Sequence, residues 1–477
     1  MKRTPFRFLA ASSLLLAVLL AAAVAQTARR PRYGGMLRVE MQGAVTSLDP
    51  VTPATDRSTA AVKEKLMTLV FDTLTRLDDA GRAVPALALS WQSNPSNKRW
   101  EFRVRSNVKF QDGTPMTQEA IAQSLTAANP GWHASAAGYG VVIETDTRAP
   151  DLPLLLADAR YAITRRGADG ALVGSGPFRV AEWQPGRRAV FAANEENWEG
   201  RPFLDSIEVQ MGRAANDQLI DLQVGKADLV EIAPDEARRA AERGARVWTS
   251  APVELLALVF TPGWAAVEDA RVREAVARSI DRGALTNFLL QKQGEPAGGL
   301  LPQWLSGYEF LFSAAADSGR ARQLWSQISP VPPPLVLGYD ASDALEKAVA
   351  GRVAVNARDA GIVVNTLALT NSAQNMDARL VRLRIASPEP GAALAALQSE
   401  LAASLDAAGA TPLPDRATAE DLYARERAFI ESFRVVPLVH LPEAYGLSPQ
   451  VKDWMPLSWG AWRLADVWLD RPGGETR

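Results

Sequence analysis

A strand–helix–strand pattern in residues 335–369 constrains the fold more than any other part of the sequence. It consists of an apolar run at 335–337, a helical period over 342–359 and an apolar run at 362–367. Gly361 stands where a left-handed residue ends a helix. Because strands joined by one crossover helix run parallel, the pattern predicts a parallel strand pair within an α/β fold.

Strand and helix signals also alternate elsewhere in the chain. The sequence WEFRVR at 100–105 places apolar residues on one face and charges on the other, which predicts a half-buried strand. Thr117 follows an Asp-Gly turn and is a predicted helix N-cap. Further strands are predicted at 380–385 and 435–440. With 477 residues, of which 47% are hydrophobic, the chain can build two separate cores.

Composition excludes several kinds of site. The chain has no cysteine, so disulfides, thiolate nucleophiles and Cys-ligated zinc are ruled out. Only two histidines, His133 and His440, are present, which excludes a His-rich metal site. The formal net charge is −2, without the positive excess expected of a general nucleic-acid binder. We therefore predict no cofactor, no metal and no nucleic-acid partner.

The N-terminus has the three parts of a secretory signal peptide. Lys2, Arg3 and Arg7 are basic, residues 14–24 are an unbroken apolar run, and Ala-Val-Ala at 23–25 is a cleavage pattern. The run of 11 residues is shorter than the roughly 20 needed to cross a bilayer. No cysteine follows it, so a lipid anchor is excluded. The sequence predicts export to the periplasm and removal of residues 1–25.

Motifs of catalysis are missing. The chain has no phosphate-binding loop, no G-x-G-x-x-G, no nucleophile elbow and no H-E-x-x-H. A S-x-x-K occurs at 106–109, but it follows a predicted strand instead of opening a helix, so we interpret it as chance. These absences favour a binding protein over an enzyme.

Four residues are candidates for a ligand pocket on chemical grounds. Trp132 and Tyr139 flank a segment rich in Gly, Ala and Ser that is predicted as a loop, and aromatic side chains can form the wall of a ligand cleft. His133 lies in the same segment, and His440 ends an apolar strand. The alternative for each is a structural side chain packed within its own domain.

An ordered series of motifs resembles the large extracytoplasmic solute-binding proteins of ABC importers, family 5, which include dipeptide-, oligopeptide- and nickel-binding proteins. The resemblance runs from about residue 33 to 470. It is carried by YGGMLRVE at 33–40, TSLDP at 46–50, VFDTLTRL at 70–77, VPALA at 84–88, WEFRVR at 100–105, DGTPMT at 112–117, GSGPFRV at 174–180, GKADLV at 225–230 and DARVREA at 269–275.

The resemblance implies a two-lobed periplasmic-binding-protein (Venus-flytrap) fold of the α/β class with an extra subdomain inserted in lobe I. The implied boundaries are a signal peptide at 1–25, lobe I at 26–252 with the inserted subdomain at about 51–165, lobe II at 253–440, and a return to lobe I at 441–477. Two crossings between the lobes would form a hinge that closes on ligand.

One stretch departs from the family pattern. Peptide-binding members carry a lobe-II motif resembling W-x-A-D-Y, whose Asp pairs with the peptide α-ammonium. The corresponding stretch here is LRIASPEP at 383–390, with Ala386 or Ser387 at the Asp position. Arg382 and Arg384 would favour a neutral or anionic ligand if they point into the cleft. Alternatively, they form the solvated face of a strand whose Leu383 and Ile385 point inward.

The resemblance also implies which segments face the cleft and what the protein does. The cleft residues expected by position are Thr46, Ser47, Trp132, His133, Tyr139, Leu383, Arg384, Ile385, Ala386, Ser387 and His440. The implied function is a monomeric, non-catalytic receptor that delivers a peptide-like or other small solute to an ABC permease. An exported enzyme, or a signalling or chaperone protein on the same scaffold, is the alternative.

Overall fold

The computed structural model describes residues 30–54, 56–167, 170–308, 311, 313, 315–370, 375–385, 387–402 and 417–470. The predicted signal peptide and Ala386 lie outside the described residues.

The described strands and helices alternate along the chain. The strands are β1 Met36–Glu40, β2 Thr75–Leu77, β3 Ala83–Pro85, β4 Ala88–Ser93, β5 Arg99–Val104, β6 Trp132–Ala137, β7 Gly140–Thr145, β8 Arg165–Arg166, β9 Leu172–Val173, β10 Phe178–Gln184, β11 Arg188–Ala193, β12 Ser206–Gln210, β13 Leu229–Ile232, β14 Arg246–Phe260, β15 Glu295–Pro296, β16 Leu335–Asp340, β17 Val364–Leu369, β18 Ala378–Arg384, β19 Val435–Leu447, β20 Val451–Lys452 and β21 Trp468–Leu469. The α-helices are α1 Arg57–Val70, α2 Gln118–Ala128, α3 Leu152–Leu155, α4 Ala215–Gln223, α5 Pro234–Glu242, α6 Ala265–Glu268, α7 Ala270–Ser279, α8 Arg282–Ala284, α9 Gln303–Ser306, α10 Ser318–Ser326, α11 Ala344–Asp359, α12 Pro390–Leu401 and α13 Ala419–Ile430.

Two long strands, β14 and β19, run through both lobes. The strand order in the large sheet is β10-β11-β12-β1-β13-β19-β14-β18-β16-β17, with β15 added to β19. The first half of β14 and the last half of β19 belong to lobe I, beside β13, and their other halves belong to lobe II, beside β18. Their antiparallel register is broken by bulges around the pair Pro252 and Pro442. The irregularity therefore lies between the lobes, next to the predicted boundaries at 252 and 440.

The lobe-II half of β14 has apolar cores on both faces. Leu256 and Leu258 join the core beneath α7, α10 and α11, whereas Leu255 and Val259 join the core beneath α12 and α13. A strand buried on both faces reads as a continuous apolar run, and residues 255–260 are such a run. Lobe I has its own core, built on β1, β12 and α1 and closed by the C-terminal return.

The predicted strand–helix–strand unit is confirmed. β16 and β17 pair in parallel from Leu335↔Val364 to Asp340↔Leu369, and α11 connects them. Asp343 caps α11 by accepting hydrogen bonds from the backbone N–H groups of Leu345 and Glu346. Gly361 has φ +82°, as expected of the left-handed residue that ends the helix.

The inserted subdomain is an antiparallel sheet of order β4-β5-β7-β6 covered by α2. The side chains of Trp100, Phe102 and Val104 are buried and alternate with exposed charges, as predicted. Thr117 is the N-cap of α2, with its hydroxyl accepting from the backbone N–H of Ala120 at 3.2 Å.

One local prediction was wrong, and one predicted strand is longer than expected. Residues 132–139 are not a loop, because β6 pairs with β7 in a hairpin from Trp132↔Thr145 to Ala137↔Gly140. The predicted strand at 435–440 continues to Leu447, because its second half pairs with β13 and with the start of β14 in lobe I. In the part of the chain that the structure describes, no helix has the length and apolar character needed to cross a membrane.

Because β14 is buried on both faces in lobe II, two substitutions should differ greatly in their effect on the free energy of unfolding. Leu258→Ala removes a fully buried side chain and should lower the free energy of unfolding by about 2–5 kcal/mol. Val355→Ala is the control, because Val355 is half exposed on α11 and alanine favours helix. Urea unfolding monitored by circular dichroism measures both changes, and equal effects would contradict the description of this core.

Candidate functional site

A cleft of about 2160 Å³ lies between lobe I with its inserted subdomain on one side and lobe II on the other. The first wall contains α1, the segment 71–79 and residues 145–162 of the inserted subdomain. The opposite wall is made by Ser387, Glu389, the face of α12 and Arg425 of α13. The C-terminal return at 457–466 closes one end. Lobe I, the inserted subdomain, lobe II and the C-terminal return thus each contribute residues to one cavity.

An aromatic pair marks the inserted-subdomain wall. The rings of Trp132 and Tyr161 stack with centroids 4.6 Å apart, and the Arg160 guanidinium lies over the Tyr161 ring at 5.0 Å. Asp158 also lines the cleft, where it is accessible to solvent, and partial desolvation raises its pKa. Glu64 of α1 adds to this effect by like-charge repulsion.

Asp72 is held by two donors on the lobe-I side of the cleft. Its carboxylate accepts hydrogen bonds from the Ser175 hydroxyl and the Trp198 indole N–H, both at 2.8 Å. Burial nevertheless raises the pKa of Asp72, so desolvation outweighs the two hydrogen bonds. Both donors bind the same oxygen, Oδ2, and hold the carboxylate in place, so we interpret Asp72 as a structural carboxylate of the wall.

The lobe-II wall consists largely of small side chains. Gly391, Ala392, Ala395 and Ala396 of α12 line the cleft. Glu389 caps this helix by accepting from the backbone N–H groups of Gly391 and Ala392. Its carboxylate therefore interacts with the helix N-terminus, where the backbone dipole favours an anion. Apart from Arg425 of α13, which also lines the cleft, this wall therefore offers space and backbone more than charge.

Charged side chains fill the base of the cleft beside the hinge. We call this group the interlobe ion cluster; it comprises four cations and four anions: Arg57, Lys65, Arg382, Arg384, Glu64, Glu254, Asp343 and Glu443. Except for Arg57 and Glu64, their side chains are less than one-fifth exposed. Buried charges are tolerated only when they are paired, and here the two signs balance.

Arg384 has a central position in the cluster. Its guanidinium pairs with Glu443 and lies 3.5 Å from the Glu64 carboxylate, while Glu443 accepts from Lys65 at 3.1 Å and from the Tyr445 hydroxyl at 2.8 Å. Burial by itself would raise the pKa of Glu443, but Lys65 and Arg384 outweigh it and lower that pKa to about 2. Burial would likewise lower the pKa of Arg384, but Glu443 and Glu64 raise it.

Arg382 is neutralised within lobe II and at the hinge. It pairs with Asp343 at 2.7 Å and with Glu254, which also pairs with Arg57 of α1. Neither of the two alternatives for the arginines of β18 describes this arrangement. Arg382 and Arg384 are not a solvated face, and their charges are compensated by carboxylates of the chain itself instead of being left for a ligand.

Two of the residues expected at the cleft line it, namely Trp132 and Ser387. Arg384 does not line the cleft itself, but it lies 3.5 Å from Glu64, which does. Ala386 lies outside the described residues.

The remaining candidates lie elsewhere. Tyr139 is 85% exposed at the tip of the β6–β7 hairpin, and His133 is exposed on β6. Leu383 and Ile385 are buried in the lobe-II core.

Thr46 and Ser47 precede the cleft-lining residue Pro50, and the Ser47 hydroxyl accepts from the Asp49 backbone N–H at 3.1 Å.

His440 is a core residue of the hinge strand β19. Its side chain is buried, and Nε2 lies 2.9 Å from the carbonyl oxygen of Leu300. Burial lowers the pKa of His440 to about 4, so the imidazole is neutral at ordinary pH and its Nε2 donates to that carbonyl. This geometry fits the structural alternative for His440.

Sequence reasoning missed Lys65, Glu254 and Glu443. Glu254 is a lone charge before the apolar run 255–260, and Glu443 lies between Pro442 and Ala444 in an otherwise apolar strand. An unpaired charge in such a run signals a buried partner, but nothing in the sequence shows which partner it is.

Among the described residues, no group of three or more His, Asp or Glu side chains is arranged to hold a metal ion. The cleft is lined by aromatic rings, backbone groups and charged side chains of both signs. These are groups that bind a solute non-covalently.

Comparison with models of known protein families shows which family this chain belongs to. Residues 82–401, two-thirds of the chain, match the model described as "Bacterial extracellular solute-binding proteins, family 5 Middle". The chain belongs to this family.

Curated relatives of this family 5 protein match over part of their length. The probable D,D-dipeptide-binding periplasmic protein DdpA of Escherichia coli strain K12 is 24% identical over 60% of this chain and 61% of its own. The oligopeptide-binding protein AppA of Bacillus subtilis strain 168 is 21% identical over 57% of this chain and 54% of its own. The chain thus spans a little over half the length of these relatives.

Solved structures match over nearly the whole fold. NikA from Brucella suis in complex with Fe(III)-EDTA has a TM-score of 0.80 at 19% identity and covers 91% of this chain and 100% of its own. AppA from Bacillus subtilis in complex with a nonapeptide has a TM-score of 0.73 at 16% identity, with coverage of 93% and 100%. The predicted two-lobed α/β fold is confirmed.

The burial of His440 predicts a pH dependence of stability in the family 5 protein. Its folded pKa of about 4 is below the ordinary histidine value of 6.5, so the folded state binds fewer protons than the unfolded state. The stability it contributes is complete above pH 6.5 and is lost as pH falls towards 4, by about 3 kcal/mol at most. His440→Gln should remove this part of the acid sensitivity. Urea unfolding at pH 7 and at pH 4.5 measures it.

His133→Gln is the matched control for this prediction, because His133 is exposed. It should leave the pH dependence of the wild-type protein unchanged. An acid sensitivity that is the same in both variants would show that His440 is not the group responsible.

Proposed function

We propose that this chain is an exported, non-catalytic receptor that captures a small solute, peptide-like or other, by hinge closure and delivers it to an ABC import permease. The observation that carries the proposal is the cleft of about 2160 Å³ between two lobes that are joined through β14 and β19. A cavity at a lobe interface is where solutes are expected to bind, and a two-strand connection permits closure around them.

The size of the cleft favours a peptide-like solute. Pockets for small ligands measure about 300–1,000 Å³, and this cleft is larger even though the lobes touch at several points. DdpA is named for D,D-dipeptides, and AppA was solved with a nonapeptide. A guest with several residues and its hydration water fits this volume better than a single ion does.

The hinge is expected at the bulges of β14 and β19. Pro252 and Pro442 face each other there, and proline has no N–H to donate to the strand ladder. The strands are therefore less tightly bound to each other at this point than on either side. This arrangement supports lobe boundaries close to 252 and 440.

The proposal includes export to the periplasm and delivery of the solute to a permease. The family is extracellular by description, which agrees with the predicted removal of residues 1–25 and with a mature, periplasmic protein without a lipid anchor. The closed form would be the surface recognised by the permease. We propose that the receptor works as a monomer and binds its solute without a cofactor or a bound nucleic acid.

Filling the cleft should abolish solute binding without unfolding the protein. Ala395 is exposed and lines the lobe-II wall, so Ala395→Trp places a large ring in the proposed binding space. Ser399→Trp is the control, because Ser399 is exposed on the same helix and does not line the cleft. Native mass spectrometry of the purified protein identifies the bound solute, and calorimetry measures its affinity. We expect Ala395→Trp to weaken binding by about tenfold or more, with Ser399→Trp near wild type.

Two outcomes would contradict the proposal. One is a protein that binds no member of a broad peptide and solute library and carries no cargo when purified. The other is conversion of the bound solute to a product, which would indicate an exported enzyme on this scaffold.

A further inference from the structure

The two lobes are joined by contacts that the chain makes with itself at the base of the cleft. α1 belongs to lobe I, and β18 belongs to lobe II. Arg384 of β18 lies 3.5 Å from Glu64 of α1 and also pairs with Glu443, which is located on the lobe-I side of the hinge. Arg57 of α1 pairs with Glu254 at the start of the lobe-II half of β14.

A second contact crosses between the lobes at the rim. Gly81 lies in the turn between β2 and β3, and a Cβ built on it would be 2.8 Å from the carbonyl oxygen of Pro388 in lobe II. The turn is fixed to lobe I, because Asp79 accepts from the Ser458 backbone N–H at 2.8 Å and the Trp459 indole N–H donates to the Asp78 carbonyl at 3.4 Å. Backbone therefore meets backbone at a point where only glycine fits.

These contacts join groups of the two lobes directly to each other. Any opening of the hinge moves β18 and Pro388 away from α1 and the β2–β3 turn, so it must break the Arg384 pairs and the Gly81 contact together. The ion pairs are partly shielded from water, where their attraction is stronger than on an open surface. Both contacts therefore stabilise the closed conformation relative to the open one.

We propose that the chain carries a built-in clasp, formed by the Arg384 ion pairs at the base and the Gly81–Pro388 contact at the rim, that holds the lobes closed before any solute is bound. The clasp builds on the hinge closure of the proposed function. Solute would then stabilise a conformation that is already populated. The affinity for solute and the opening rate would both depend on residues that do not touch the solute.

The clasp can be tested in the absence of solute. The chain has no cysteine, so Ser135→Cys on the inserted subdomain and Ser399→Cys on lobe II introduce two unique sites for spin labels, both at exposed positions. Pulsed electron spin resonance then gives the distribution of distances between the lobes. Native mass spectrometry verifies that the labelled protein carries no solute.

Two variants, each with a matched control, separate the clasp from general destabilisation. Arg384→Met removes the base pairs, and Arg379→Met removes an exposed arginine from the same strand. Gly81→Ala introduces the Cβ that meets Pro388. Gly113→Ala places the same Cβ in another turn of the inserted subdomain, with a similarly positive φ of +83° and nothing within 4 Å.

We expect the wild-type protein to show mainly the short-distance population without solute. Arg384→Met and Gly81→Ala should each lower the ratio of closed to open protein by about tenfold, which corresponds to about 1.4 kcal/mol. Arg379→Met and Gly113→Ala should leave the ratio unchanged. The clasp is overturned if the solute-free wild type is fully open, or if the two variants match their controls. Because no solute is added, these results do not depend on whether the receptor function is correct.

Discussion

The continuity of β14 and β19 through both lobes is the constraint on which the rest of the structure depends. Each strand contributes one half to each lobe, so the two halves of the large sheet share a single ladder, and the lobes can move relative to each other only where that ladder is irregular. Two of its three register shifts flank the pair Pro252 and Pro442, and the third lies between Leu256 and Ala257 in lobe II. Glu443 follows Pro442 directly and Glu254 lies two residues after Pro252, so the two strands place two carboxylates at the base of the cleft, opposite α1 and β18. The position of the interlobe ion cluster is a consequence of the hinge.

Charged side chains suit an interface between lobes that open and close better than apolar side chains would. Apolar side chains of the same volume would often stabilise a single closed structure as well or better, because burying charges carries a desolvation cost. They would, however, be exposed to water whenever the lobes separate, at a cost of about 25 cal/mol per Å². Charged side chains are solvated well in the open form and paired in the closed form. The cluster therefore keeps the difference in free energy between the two conformations small, which suits a protein that has to open and close.

Sequence reasoning succeeded where the signal is local. The unit at 335–369, the alternation at 100–105 and the cap at Thr117 depend on residues a few positions apart, and the structure has all three. The hairpin at 132–145 was missed because its first strand, WHASAA, has small residues in place of an apolar alternation, and its strand conformation comes from pairing with β7. The environment of Arg382 and Arg384 could not be predicted either. The partners Glu254 and Glu64 are more than 100 residues away in the chain, and only the folded sheet brings them together. Motif resemblance identified the family, but the candidate cleft residues that it implied are spread over the core, the surface and the cleft.

The distribution of charge around the cleft limits how a guest could be recognised. The arginines of β18 and the carboxylates of the hinge compensate one another, and Glu389 is committed to the N-terminus of α12. The remaining lobe-II wall is mostly glycine and alanine. Apart from Arg425, the polar groups of the cleft therefore come mainly from lobe I and its inserted subdomain, where Asp158 and the Trp132–Tyr161 pair face the cavity. In such a receptor, lobe I would make most of the selective polar contacts with the solute, and lobe II would mainly enclose it. Substitutions in lobe I would then change selectivity, whereas substitutions in lobe II would mainly change affinity.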